Sequence, residues 1–160
     1  MVAVRQAVPE DAEAAVAVLR RSITELCISD HRGDAQTIAK WLANKTPQNF
    51  VSWIGDDDNF CVVAEAPERL LGVGLLHRSG ELRLCYLSPG AQGQGLGKAI
   101  YLALEEKAKA WGLKKLSLES TVAARSFYES LGFRPAGAAK PGFGLSHCHP
   151  YEKPLQPHRH

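Results

Sequence analysis

Residues 60–87 leave no room for a helix between neighbouring β-prone runs. Residues 60–65 and 70–77 are rich in Val, Leu and other strand-compatible side chains, and only Ala66-Pro67-Glu68-Arg69 joins them. Arg78-Ser79-Gly80 then turns the chain into a third run, residues 81–87, which Pro89-Gly90 ends. Parallel neighbours need a crossover of roughly a dozen residues or more, so these three strands must form an antiparallel meander. The rest of the chain has to be arranged around that sheet.

One crossover does fit. Leu96, Ile100, Ala103, Leu104, Ala108 and Trp111 form an apolar stripe at helical spacing, Gly112 ends the helix, and residues 114–119 read as a strand. A strand, a helix and a strand in that order predict a right-handed unit with parallel strands. Upstream, residues 2–5 read as a strand. Pro9 opens a helix in which Ala12, Val16, Leu19, Ile23 and Leu26 recur, with Glu10, Asp11 and Glu13 at its positive end. A shorter helix is expected over residues 34–44, then a strand over 49–54. Downstream, a helix over 122–131 is stopped by Gly132, and strands follow near 133–138 and 145–152. The expected class is α/β of the α+β kind: a mixed, mostly antiparallel central sheet flanked by helices, with one parallel strand-helix-strand unit. At 160 residues the simplest organisation is one domain over 1–160.

Composition narrows the function. A net charge of +2 with scattered Lys and Arg offers no stripe for nucleic acid, and no apolar run approaches a membrane span. Cys27, Cys61, Cys85 and Cys148 lie far apart with no CxxC pair, which argues against a zinc ribbon or a disulfide framework and for a reducing compartment. Met1 to Arg5 shows no signal peptide, so the expected location is the cytoplasm.

The loop Gln92-Gly93-Gln94-Gly95-Leu96-Gly97-Lys98 precedes the long helix. Alternating glycines let a backbone approach a ligand closely, and the N–H groups at a helix start favour a phosphate. It is not a Walker loop. Position 92 is Gln rather than Gly, and Ala99 replaces the hydroxyl that would hold magnesium. Nor is it a dinucleotide fingerprint, because Gly93 leads to Lys98 and Gly95 to Ile100 where the third glycine should stand.

Gln92-x-x-Gly95-x-Gly97 resembles the Q/R-x-x-G-x-G/A motif of the GNAT N-acetyltransferase superfamily. Cys85-Tyr86-Leu87-Ser88-Pro89 resembles the end of that family's fourth strand. Ala124-Arg125-Ser126-Phe127-Tyr128-Glu129-Ser130-Leu131-Gly132-Phe133 resembles its A-x-x-x-F-Y-E-x-x-G-F segment. The order of elements agrees over nearly the whole chain. Thr121 departs from the pattern, standing where the family often has asparagine, but its hydroxyl can still cap and donate.

The resemblance implies acetyl-CoA as co-substrate and no metal. It implies that the pyrophosphate and pantetheine are held by Leu87, Gln92, Gly93, Gln94, Gly95, Leu96, Gly97, Lys98, Thr121 and Tyr128. It implies direct attack by an amine in a ternary complex. Tyr128 would be the general acid on the leaving thiolate, and the Leu87 backbone N–H would polarise the carbonyl. Glu81, eleven residues before Gln92, matches the spacing of a base used in histone-type members; Asp30 and His31 are alternatives. His147-Cys148-His149 supplies too few ligands for a metal site. The acceptor is expected to be a small-molecule amine. A peptide lysine or N-terminus, or a catalytically idle CoA-binding domain, are the other readings, and a homodimer is compatible with the family.

Overall fold

The computed structural model describes residues 2–142 and 145–156. Strand β1 (Ala3–Gln6) leads through a 3-10 turn (Pro9–Asp11) into helix α1 (Ala12–Leu26), followed by α2 (Ile28–His31), α3 (Ala35–Leu42) and α4 (Pro47–Ile54). The meander is β2 (Asn59–Ala66), β3 (Arg69–His77) and β4 (Leu82–Leu87). Helix α5 (Leu96–Ala110), β5 (Lys115–Ser120), α6 (Arg125–Ser130), β6 (Arg134–Pro135), β7 (Lys140–Gly142) and β8 (Leu145–Pro154) complete the chain.

Residues 49–54 are helical, not the expected strand. Thr46 caps α4 through its Oγ1, which accepts from Asn49 N at 3.1 Å, and Pro47 occupies the first turn. Phe50, Trp53 and Ile54 then share one face at helical spacing and cover the α1 side of the sheet. Their aromatic and β-branched composition suggested a strand, but cap and spacing decide it. Helix α6 is shorter than the expected 122–131: residues 122–124 form turns, with Ala124 N and Arg125 N donating to the carbonyls three residues back, of Thr121 and Val122, at 3.3 and 3.4 Å.

The first sheet has order β1-β2-β3-β4, all antiparallel. Helix α1 buries Val16 and Leu19 against one face, and α5 buries Ile100 and Leu104 against the other. Strand β4 carries a bulge: Leu75 faces Leu84 whereas Leu76 faces Leu82, leaving Arg83 as the extra residue. The two flanking leucines therefore point to opposite sides. Leu82 enters the α5-side core and Leu84 the α1-side core. The second sheet is β5-β8-β6, with β7 paired to β8.

The parallel strand-helix-strand unit is present, but its two strands touch at only one bridge, Glu81 with Ser117. There Ser117 N donates to Gly80 O at 2.9 Å. Beyond that point β4 and β5 diverge, and the sheet opens. Among the described residues no helix is long and apolar enough to cross a membrane.

Candidate active site

Three cavities lie along the opening between β4 and β5, and neighbouring ones share wall residues. The largest, about 650 Å³, lies between the glycine loop, the end of β4 and the start of α6. A junction of about 40 Å³ sits in the opening itself, lined by Cys85, Tyr86, Glu119, Thr121 and Tyr128 among others. An outer cavity of about 330 Å³ follows on the α4 side, sharing Leu82, Arg83 and Glu119 with the junction.

Gly93 and Gly95 have φ of 79° and 77°, left-handed backbone that side-chain-bearing residues avoid, and no atom lies within 4 Å of where a Cβ would be. Gly95 is the N-cap of α5, and no side chain caps that end. The first-turn N–H groups of Leu96, Gly97 and Lys98 therefore lack intrahelical acceptors and face the large cavity's wall. Gln92 folds back, its Oε1 accepting from Gly90 N at 3.2 Å, while Gln94 is exposed and does not line the cavity. Gly97, on the same cavity wall, meets a second constraint besides its place in the loop. Its φ is ordinary, and a Cβ there would meet the Phe127 ring at 3.2 Å, so this glycine lets α6 close on α5.

Ser88 N donates to Leu71 O at 2.8 Å. Bonded and non-bonded pairs alternate along an antiparallel ladder, so the adjacent Leu87–Gly72 pair is non-bonded. The N–H of Leu87 is thereby turned away from β3, toward the gap that β5 leaves open.

Tyr128 is 8% exposed and packs edge-on against Phe127 and Phe133, with centroids 5.2 and 5.7 Å away. Burial, and secondarily the neighbouring Cys85 and Tyr86, hold its phenol well above the usual tyrosine range. The thiols of Cys85 and Cys27, both on the wall of the large cavity, are pushed up to about 12, chiefly by burial. Thr121 lines the large cavity and the junction; its Oγ1 accepts from Ala124 N at 3.2 Å, which leaves its own hydrogen to donate.

The acids divide by position. Glu81 pairs with Arg83 at 2.8 Å in the outer cavity and does not line the junction. Glu119, paired with Lys140 at 2.6 Å, lines both. Asp30 is committed elsewhere: its oxygens accept from Val122 N and Ala123 N at 2.6 and 3.2 Å, tying α2 to the segment before α6. His31 is buried, with Nδ1 accepting from Gly33 N at 2.9 Å. Its Nε2 therefore carries the hydrogen and donates to Ile23 O at 2.9 Å. Neither lines the junction. Among the described residues no group of three or more His, Cys, Asp or Glu is arranged to hold a metal ion.

A family model described as an acetyltransferase (GNAT) domain matches residues 27–155. The chain belongs to the GNAT acetyltransferase family. No curated protein matches it in sequence. Many solved structures share the family fold. The PaiA N-acetyltransferase of Thermoplasma acidophilum, solved with coenzyme A, is 23% identical over 97% of this chain and 99% of its own, with a TM-score of 0.82. The phosphinothricin acetyltransferase of Sinorhizobium meliloti, solved with acetyl-CoA, is 22% identical over 96% and 88%, with a TM-score of 0.71. The protein yncA of Salmonella typhimurium, solved with its cofactor acetyl-CoA, is 17% identical over 100% and 97%, with a TM-score of 0.73. At these identities the likeness is one of fold.

Within this GNAT fold, two residues of the cavity wall, Glu119 and Lys45, belong to none of the motifs in the sequence. Glu119 alternates with buried Leu116 and Leu118 and is the last charge before β5 ends. That position at the mouth of a diverging strand was the available signal. Lys45, on the wall of the outer cavity, follows Asn44 in a connector with no periodicity to mark it.

Proposed function

We propose that the chain acts as one N-acetyltransferase domain, transferring an acetyl group from acetyl-CoA to the primary amine of a small molecule by direct attack in a ternary complex. The observation that carries this reading is that three neighbouring cavities share wall residues along the β4–β5 opening, with Tyr128 lining the junction and Leu87 the adjoining large cavity. The residues suit the co-substrate. Uncapped N–H groups behind two left-handed glycines make a cradle for a pyrophosphate, and the cavity below it is lined by Leu87, Leu96 and Phe127. When bound, acetyl-CoA supplies an activated acetyl thioester.

The chain's own residues then have separate tasks. The Leu87 N–H donates to the carbonyl oxygen; a preorganised donor of this kind is worth about 2.7–4 kcal/mol. Tyr128, its proton retained by burial, donates to the departing sulfur. Glu119 collects the amine's proton at the junction, and Glu81 stands at the outer end of that proton path. Cys27 and Cys85 keep their thiol protons at neutral pH, which disfavours an acyl-enzyme route. An acceptor space of about 330 Å³ lined by charged side chains suits a small molecule better than a polypeptide. The four cysteines are free, as in a reducing, cytoplasmic setting.

Acetyl-CoA should raise the melting temperature of the protein to the same extent with and without EDTA. Gly95→Val should lose most of that stabilisation. A β-branched residue at φ 77° costs about 1–2 kcal/mol of backbone strain or rebuilds the cradle, while the open space around it spares the fold. Calorimetry should find acetyl-CoA affinity lower by about tenfold or more in a folded variant. Loss of the wild-type shift on chelation would contradict the metal-free site, and unchanged affinity in Gly95→Val would contradict the cradle.

A further inference from the structure

The outer cavity holds one charge that no carboxylate among the described residues answers. Lys45, between α3 and α4, is 5% exposed, and its Nζ donates to Asn44 Oδ1 at 2.7 Å. Among the described residues no carboxylate lies within ion-pair reach of it, whereas Lys109, Lys115, Lys140 and Lys153 each have one. From α1, Arg20 donates to the Lys45 carbonyl at 3.1 Å, bringing a second cation rather than an anion. The other charges lining the space are already answered: Arg83 and Glu81 pair with each other, and Glu119 pairs with Lys140. A buried ammonium with one amide acceptor keeps two further N–H donors to satisfy, and Lys45 lines the cavity.

Resting on the acetyltransferase reading above, we propose that Lys45 anchors the acceptor, and that the acceptor is an amine that also carries a carboxylate. The carboxylate pairs with the Lys45 ammonium in the outer cavity while the amine faces Glu119 at the junction, so the substrate class is amino-acid-like. The anchor is costly to the fold. Burial pushes the Lys45 pKa down to about 8. Between about pH 8 and its ordinary value near 10.4, the unfolded chain binds the proton that the folded chain does not. Stability therefore rises with pH across that window, and below it the fold carries a desolvated charge.

The test compares amino acids with their amides and decarboxylated amines as acceptors, in the wild type and in Lys45→Met, with acetyl-CoA affinity measured for both proteins. The wild type should prefer the carboxylate-bearing acceptor by about 10- to 100-fold in kcat/KM, the range expected of a charge-assisted contact. In Lys45→Met the carboxylate acceptor should fall to the level of its amide, through KM, and the melting temperature at pH 7 should rise. Equal use of acid and amide by the wild type, or an equal loss on all acceptors in the variant, would overturn the proposal. If none of these amines is acetylated, N-acetyl amino acids and their amides serve as probes. Preferential thermal stabilisation by the acids, abolished in Lys45→Met, would support the anchor, and equal stabilisation would overturn it. Failure of the wild type to bind acetyl-CoA would instead overturn the acetyltransferase reading on which the anchor rests.

Discussion

Tyr128→Phe is expected to lower kcat by about 10²-fold or more and to leave acetyl-CoA affinity near that of the unaltered protein. The substitution removes one hydroxyl and keeps the ring, so the edge contacts with Phe127 and Phe133 that position α6 persist. What disappears is the proton donor beside Cys85 in the junction. The pH dependence gives a second signature. Because burial holds the phenol well above its ordinary value near 10, it stays protonated through neutral and moderately alkaline pH. Tyr128 should therefore impose no alkaline limb on kcat/KM below about pH 10. Raising the pH should not rescue the variant, since hydroxide cannot replace a missing acid. Turnover like that of the wild type in Tyr128→Phe would remove the assigned donor.

Glu119→Gln should also be slow at neutral pH, by about 10²-fold, but its defect should shrink as pH rises. A primary ammonium titrates near pKa ~10.4, so alkaline solution supplies the neutral amine that the missing carboxylate no longer prepares. Glu81→Gln should show the same rescue with a smaller initial loss, because Glu81 lines the outer cavity but not the junction. The substitution at Glu119 also breaks its pair with Lys140. Lys140→Met breaks the same pair while keeping the carboxylate, and it separates proton transfer from structure. If Glu81→Gln proves the slower, pH-rescued variant and Glu119→Gln turns over normally, the base is Glu81.

Local signals carried the reading of this chain a long way. The meander was legible because its turns are too short for helices, and α5 because its apolar stripe runs uninterrupted from the glycine loop to Ala108. Residues 49–54 favour a strand by composition, through Phe50, Val51 and Trp53, while the Thr46-Pro47 cap that makes them helical lies just upstream. Gly97 belonged to the loop by spacing, yet its constraint is a ring thirty residues away, Phe127. Glu119 and Lys45 likewise owe their places in the site to tertiary structure. Glu119 matters through where β5 leaves β4, and Lys45 through the absence of a partner across a cavity. The bulge at Arg83 has no marker in the sequence either, although it sets which faces the residues on either side of it present.

The most direct measurement is the joint appearance of free thiol and acetylated amine when the protein is incubated with acetyl-CoA and a panel of amines. Thiol release by colour reaction and product mass by mass spectrometry should rise together, in equal amounts, with an amino-acid-like acceptor and not with acetyl-CoA alone. Acetyl-CoA binding without acetylation of any amine or peptide in the panel would contradict the account and leave a CoA-binding domain in place of an enzyme.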